Sequence, residues 1–234
     1  MRLDKFLTEC GLGSRSEMKQ NIRKKLVLVN GIPAANGDMK INEKEDLITF
    51  CGKRVVYEKF SYYLLHKPAG CVTATEDHHH KTVMEYLPQP YPKGLSPVGR
   101  LDIDTEGLLL ITNDGQLNHN LLSPSHHVPK TYYAILDAPV PALAVELFAE
   151  GIDIGDDKPT LPAELEILPA TDTLYHAKLT LHEGRFHQVK RMFEKVGCTV
   201  TYLKRLTMGP LSLGELAVGE CRKLTEEEIK NLYE

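Results

Sequence analysis

Arg100 and Asp102 stand two residues apart in the stretch Pro97-Val98-Gly99-Arg100-Leu101-Asp102-Ile103-Asp104-Thr105-Glu106-Gly107, directly ahead of the apolar run Leu108 to Thr112. In an extended segment such a spacing points both side chains the same way. The uninterrupted apolar run behind them has the pattern of a strand buried on both faces. A carboxylate at the mouth of that strand needs a partner. It is either a structural aspartate in a turn or salt bridge, or a reactive group, nucleophile or base, with a cation beside it. Lys190, in Glu183-Gly184-Arg185-Phe186-His187-Gln188-Val189-Lys190-Arg191-Met192-Phe193, is a candidate cation. It lies four residues after Phe186 and three before Phe193, which places it beside an apolar helical stripe. A lysine there either snorkels to water or meets a buried anion. Arg185 and Arg191 fall on other faces and can reach phosphates. The third element is Lys130-Thr131-Tyr132-Tyr133. In a strand the two rings point to opposite sides, so one can face a site while the other packs in the core. A tyrosine beside a carboxylate and a cation could stack on a base flipped out of RNA; two core tyrosines are the competing reading.

Other chemistries lack their sequence signs. There is no phosphate loop, dinucleotide fingerprint, G-x-S-x-G elbow or H-E-x-x-H. Nothing therefore points to a nucleotide cofactor or a catalytic zinc. All ten histidines follow residue 60, with His78-His79-His80 and His126-His127 adjacent. Consecutive loop residues rarely converge on one metal, and no carboxylate accompanies them at helical spacing. The first cluster reads as surface loop; for the second, a phosphate or ribose contact is possible. Five scattered cysteines without a C-x-x-C read as reduced thiols of a cytosolic protein. No apolar run is long enough to span a membrane, and the start MRLDKFLTEC has no apolar core of a signal peptide.

The elements that must position these residues divide in two. The 234 residues carry a net charge of −4, which by itself argues against nucleic acid. That average hides a split: residues 1–59 hold 12 basic and 8 acidic residues, and residues 60–234 hold 16 and 24. Leu3, Phe6, Leu7 and Cys10 mark a short amphipathic helix closed by Gly11 and Gly13. Ser14-Arg15-Ser16-Glu17 is a capping box opening a second helix. On it Arg15, Lys19 and Arg23 share one face, extended by Lys24 and Lys25. Val27 to Val29 runs into an Asn30-Gly31 turn, with Leu47 to Phe50 returning. The basic stripe is a solvated face or a phosphate-binding one; its single sign costs like-charge repulsion that RNA would relieve. Residues 54–60 read as a link. Beyond it, strands are expected at Tyr62–Leu65, Leu108–Thr112, Tyr132–Leu136, Leu165–Ile167 and Ala177–Leu181. Asn113-Asp114-Gly115 reads as a turn. Helices are expected around Leu143–Phe148, from Phe186 to Val196, and after the capping box at Thr225. Without a βαβ rhythm this is an α+β fold with a mixed, largely antiparallel sheet.

The pattern Arg2-Leu3-Asp4-Lys5-Phe6-Leu7, Ser14 to Glu17 and Val27 to Gly31 resembles the S4 RNA-binding domain. With the Gly99-Arg100-Leu101-Asp102 stretch, the Tyr132 strand and the Lys190 segment in that order, the whole chain resembles pseudouridine synthases of the RsuA group. The resemblance implies an S4-like head over residues 1–56 and a catalytic domain over 60–234. It implies a cofactor-free isomerisation of uridine to pseudouridine in ribosomal RNA. Asp102 matches the essential aspartate and Arg100 the residue that helps displace the nucleotide and fills its place. Tyr132 matches the aromatic that stacks on uracil, Lys190 the cation paired with the aspartate, and Leu203 an apolar residue of the uracil pocket. RNA contacts are expected from Arg2, Arg15, Lys19, Arg23, Lys24, Lys130, Arg185 and Arg191.

Ser123-Pro124-Ser125-His126-His127 and His187-Gln188-Val189-Lys190-Arg191-Met192 look like the members that modify 16S RNA, at the uridine-516 type of target. Large-subunit relatives more often show Asn-Arg-Gln near residue 186 and arginine at 190. A 23S enzyme of the same group, and an inactive S4-bearing ribosome-assembly factor, are the alternatives. His66 departs from the asparagine many relatives carry before Lys67-Pro68. A cytoplasmic monomer acting on small-subunit RNA or its assembling particle, without membrane, metal or cofactor, is the expectation. So is a cleft around Asp102 that escapes the acidity of residues 60–234.

Overall fold

The computed structural model describes residues 1–123, 126–171 and 174–234. The chain forms two units. One holds Met1–Ser61 with Leu87–Leu95, the other Tyr62–Tyr86 with Ser96–Glu234.

In the first unit, helices α1 (Leu3–Glu9) and α2 (Arg15–Arg23) accompany strands β1 (Val27–Val29), β2 (Ile32–Pro33), β3 (Ile48–Phe50) and β4 (Lys53–Val55) in the order β2-β1-β3-β4. The Ser14–Glu17 capping box forms in both directions. Asn30 and Gly31 both take positive φ, as a two-residue hairpin turn requires. Leu3, Phe6, Leu7, Met18, Ile22 and Val27 form the core. The link expected at residues 54–60 starts later, because Lys53–Val55 pairs with β3. Leu87–Leu95 joins this unit through the Lys93 N–H on the Glu9 carbonyl, 3.0 Å.

The second unit contains β5 (Tyr62–Lys67), β6 (Ser96–Pro97), β7 (Glu106–Thr112), α3 (Gly115–Leu122), β8 (Lys130–Leu136), α4 (Leu143–Glu150), β9 (Glu164–Thr171), β10 (Leu174–Leu181), α5 (Gln188–Lys195), β11 (Val200–Met208), β12 (Leu211–Ser212), β13 (Cys221–Lys223) and α6 (Glu226–Asn231). The sheet runs β13-β5-β7-β11-β8-β10-β9, with β6 added on β7 and β12 on β11. Among the described strands, β7 and β11 alone pair in parallel. The fold is α+β on a mixed, largely antiparallel sheet. Leu108 to Ile111 are wholly out of water, each such side chain contributing roughly 2 kcal/mol. One core packs Leu136, Ala177, Leu179, Phe148 and Phe193; another packs Leu64, Leu108, Leu110, Leu117 and Met208. Among the described residues no helix is long and apolar enough to cross a membrane.

Local departures from expectation have local causes. Asn113-Asp114-Gly115 does not close a loop: the Asp114 carboxylate accepts the Gln116 and Leu117 N–H groups and starts α3. The helix expected from Phe186 starts at Gln188, because His187 adopts the left-handed conformation at φ 49°. Phe186 is therefore outside the apolar stripe and 76% exposed. Strands β6, β11, β12 and β13 were not anticipated. Pro124 and Ser125 lie outside the described residues, so their motif carries no structural statement.

The parallel pair makes a test. Gly107 has φ +110°, and a Cβ there would sit 2.2 Å from the Arg205 carbonyl oxygen. Gly107→Ala should cost roughly 3 kcal/mol or more in urea unfolding. Gly52→Ala, at φ +77° with open space around it, should cost only about 1 kcal/mol.

Candidate active site

Asp102 sits in the turn that feeds β7, where the Thr105 N–H bonds back to the Asp102 carbonyl at 3.1 Å. That turn precedes a strand buried on both faces, so its carbonyls need donors from within the protein. Lys67 supplies them from the end of β5. Its side chain is fully buried, and Nζ donates to the carbonyls of Pro68 at 3.0 Å, Asp102 at 3.0 Å and Thr105 at 2.9 Å. Burial pushes this ammonium down from its ordinary value. Thr73 adds a second tie, donating to the Leu101 carbonyl at 2.7 Å and accepting the Leu101 N–H at 3.1 Å. His66, the departure noted above, is buried in β5 with Nδ1 2.6 Å from the Leu216 carbonyl oxygen, away from the reacting groups.

The Asp102 side chain is 30% exposed, with Oδ2 3.2 Å from Lys190 Nζ. The expected pair is therefore brought together, but Lys190 is shared. It donates to both oxygens of Asp104, at 2.7 and 2.9 Å. Burial lowers the Lys190 pKa, and its bonds to Asp104 and Asp102 outweigh that, leaving a net rise. The hydrogen bond from Lys190 holds Asp104 below the ordinary carboxylate range, against the effect of burial. His187 adds a neighbour the sequence did not suggest, with Nε2 3.5 Å from Asp102 Oδ1. Its ring stacks on Phe186 at 3.8 Å.

Tyr132 faces the same cleft, and Tyr133 turns away to stack on His176. The cleft has a volume of about 710 Å³, within the range that holds nucleotide-sized ligands. A narrower recess shares Asp102, Tyr132 and Lys190 with it and adds Leu181, Val189 and Leu203 as apolar wall. The cleft lining includes Arg100, Lys130, Arg185, Lys190 and Arg205 against two carboxylates, Asp102 and Asp104. The expected escape from the unit's acidity is thus present. Arg100 is exposed, and among the described residues its guanidinium has no ion-pair partner.

Three expected RNA-binding arginines are used differently. Arg185 donates to Glu183 and to the carbonyls of Lys158 and Pro159. Arg191 pairs with Asp156 at 2.5 Å and donates to the Ile154 carbonyl. Both hold the 154–159 loop and have few donors left for phosphate. Arg2 is bound to Asp38 and forks onto Asp4, a buried carboxylate held below its ordinary range by that bond in spite of burial. Arg15, Lys19, Arg23 and Lys24 are exposed, as a phosphate-binding stripe needs. Among the described residues no group of three His, Cys, Asp or Glu could hold a metal ion. The N–H groups of His79 and His80 bond to Asp77 in an exposed turn.

A buried strand, a carboxylate at its mouth, a cation and a ring in one cleft is the arrangement the sequence order implied. Comparison with known proteins decides its affiliation: residues 61–195 match the pattern of the RNA pseudouridylate synthase family. The chain belongs to that family. This RNA pseudouridylate synthase is an isomerase converting uridine to pseudouridine, and its residues 1–48 match the S4 domain. It is 43% identical to an uncharacterized RNA pseudouridine synthase of Bacillus subtilis (strain 168), over 100% of this chain and 99% of the relative. It is 41% identical to ribosomal small subunit pseudouridine synthase A of Escherichia coli (strain K12), over 99% and 100%. A crystal structure of a pseudouridylate synthase superposes with a TM-score of 0.69 at 41% identity, over 99% of each chain.

Lys67 gives this synthase a check on its positioning. Lys67→Met removes the ammonium that three carbonyls share and should cost about 3 kcal/mol in urea unfolding. At temperatures where it stays folded, its single-turnover rate should fall about tenfold or more while RNA affinity changes little.

Proposed function

We propose that this synthase isomerises one uridine of small-subunit, 16S ribosomal RNA, of the uridine-516 type, with Asp102 as its essential residue. The observation that carries the residue assignment is the Asp102–Lys190 pair in the cleft that also holds Tyr132. The full-length likeness to ribosomal small subunit pseudouridine synthase A supports the choice of RNA. The partner is then the small-subunit RNA or its assembling particle, met in the cytoplasm by a monomeric enzyme. Residues 1–56 dock on phosphate and residues 60–234 carry the chemistry.

In this reaction the N1–C1′ bond of the target breaks and the uracil turns in place. A C5–C1′ bond then forms, C5 gives up its proton, and N1 ends protonated. No atom is gained or lost. Asp102 serves at the ribose, as nucleophile at C1′ or as base at C2′. One such carboxylate distinguishes the site from a glycosidase, which sets two across the bond. Asp104 shares Lys190 with Asp102 and so sits on the same side of any bound sugar. Tyr132 stacks on the detached base, and Leu203 closes the apolar side of its recess. Flipping the nucleotide out costs a few kcal/mol, and the unpaired Arg100 offsets part of it by filling the vacancy.

Asp102→Asn should bind RNA and form no pseudouridine; turnover at the wild-type rate would remove Asp102 from the catalytic role. Lys190→Ala should cut the rate strongly. Lys19→Ala should weaken binding and lower its salt slope by about one, with the rate at saturation unchanged. Mapping pseudouridine in rRNA from cells lacking the protein should show one site lost from 16S RNA. A site lost from 23S RNA would move the assignment to the large subunit, and no lost site would leave an RNA-binding factor.

A further inference from the structure

Two buried cations lining the cleft have no anion among the described residues. Arg205 is only 2% exposed. Its Nε donates to the Leu108 carbonyl at 2.8 Å, while Nη2 is buried without an acceptor among the described residues. Lys130 is 8% exposed, and Nζ donates to the Val128 carbonyl at 2.8 Å. Among the described residues neither forms an ion pair. The sheet puts them together, since Arg205 is the register partner of Tyr132 across β8 and β11, and Lys130 lies two residues from Tyr132 on the same face. Burial, and then the charge of Arg205, push the Lys130 ammonium down to about 8.

The other buried or half-buried cations at the cleft are satisfied. Lys67 has its carbonyls, Lys190 takes both cleft carboxylates, and Arg185 and Arg191 have Glu183 and Asp156. Leaving two like charges desolvated side by side costs several kcal/mol per ion. A purely structural role leaves that cost standing, with an orphaned guanidinium nitrogen besides. One monoanion between them would remove both penalties through charge-assisted bonds.

We propose that Lys130 and Arg205 form a receptor for one backbone phosphate of the RNA, that of the nucleotide carried into the cleft beside Tyr132. The proposal rests on the reading that Asp102 and Tyr132 hold the target uridine. It adds a fixed point to the reaction. While the N1–C1′ bond is open, the ribose stays anchored through its phosphate, and the base is free to turn against the Tyr132 ring.

The test uses RNAs spanning the mapped uridine, each with a single neutral methylphosphonate, bound to full-length Asp102→Asn protein so that turnover does not intervene. One position next to the target should weaken binding about tenfold or more. In the Asp102→Asn/Lys130→Met double variant that penalty should fall to about twofold or less, while penalties elsewhere persist. Arg205→Lys, which keeps a charge should Arg205→Gln fail to fold, should shrink the same penalty in part. A scan with no sensitive position next to the target, or a penalty that survives Lys130→Met, would overturn the proposal. Inorganic phosphate is the control for a free anion. If it raises the melting temperature of the wild type and not of Lys130→Met, while every methylphosphonate binds alike, the pair holds free phosphate and the RNA assignment falls. Failure of the Asp102 reading shows separately, as pseudouridine formed by Asp102→Asn, because the scan reads binding alone.

Discussion

The Lys67 ammonium, wholly out of water, takes the carbonyl oxygens of Pro68, Asp102 and Thr105 and so closes the turn that feeds β7. That strand is buried on both faces, and the turn ahead of it has carbonyls that its ladder does not reach. Main-chain donors reach part of the turn, the Gly70 N–H on the Ile103 carbonyl and the Thr105 N–H on the Asp102 carbonyl, but the Pro68 and Thr105 carbonyls take a side-chain ammonium. One flexible ammonium with three donors solves this where no single N–H could. The result is a cleft carboxylate, Asp102, whose backbone is fixed by a cation that does not pair with it. Gly107 imposes the complementary constraint on the other side, since only a residue without Cβ lets β7 approach the Arg205 backbone in parallel pairing.

Around that turn the charges fall into a graded arrangement. Lys190 answers two carboxylates, with its shorter contacts to Asp104 and its longer one to Asp102. Asp104 is thereby bound at short range, and Asp102 lines the cleft with longer contacts, 3.2 Å to Lys190 and 3.5 Å to His187. Arg100, Lys130 and Arg205 line the same cleft and form no ion pair among the described residues. A chain that is acidic overall can thus offer RNA a locally basic cleft. Charge acts over about 8–10 Å at physiological salt, so the sum over the chain says little about the field at one site.

Much of the site was legible in linear order. Asp102 ahead of an apolar run, Tyr132 in an alternating strand and Lys190 beside a helical stripe all declare themselves by local pattern, and they meet in one cleft. The capping boxes at Ser14 and Thr225 and the Asn30-Gly31 turn form as their residue types require. Phe186 was misplaced because a helical period cannot reveal that His187 adopts the left-handed conformation. The internal partners of Arg185 and Arg191 were hidden for a related reason. An arginine's sequence neighbours do not show whether a distant loop, here Ile154 to Pro159, will present carbonyls to it. Lys67 and Arg205 could have been flagged as cations within strand-like segments, but nothing local says whether such a residue points in or out.

The sequence by itself determined the fold class, the order of the chemical groups along the chain and the family to which they belong. Fold class follows from periodicity and residue type, which act over a few residues, and the family from the resemblance of the ordered motifs. Only the tertiary structure decided that Lys190 is shared, that His187 reaches Asp102, and that Lys130 and Arg205 lie together without an anion. The first two depend on where α5 and the residue before it meet the turn ahead of β7, and the last on sheet register between strands far apart in sequence. A register shift of one residue would turn every such side chain to the opposite face, and register is set by the packing of the whole sheet.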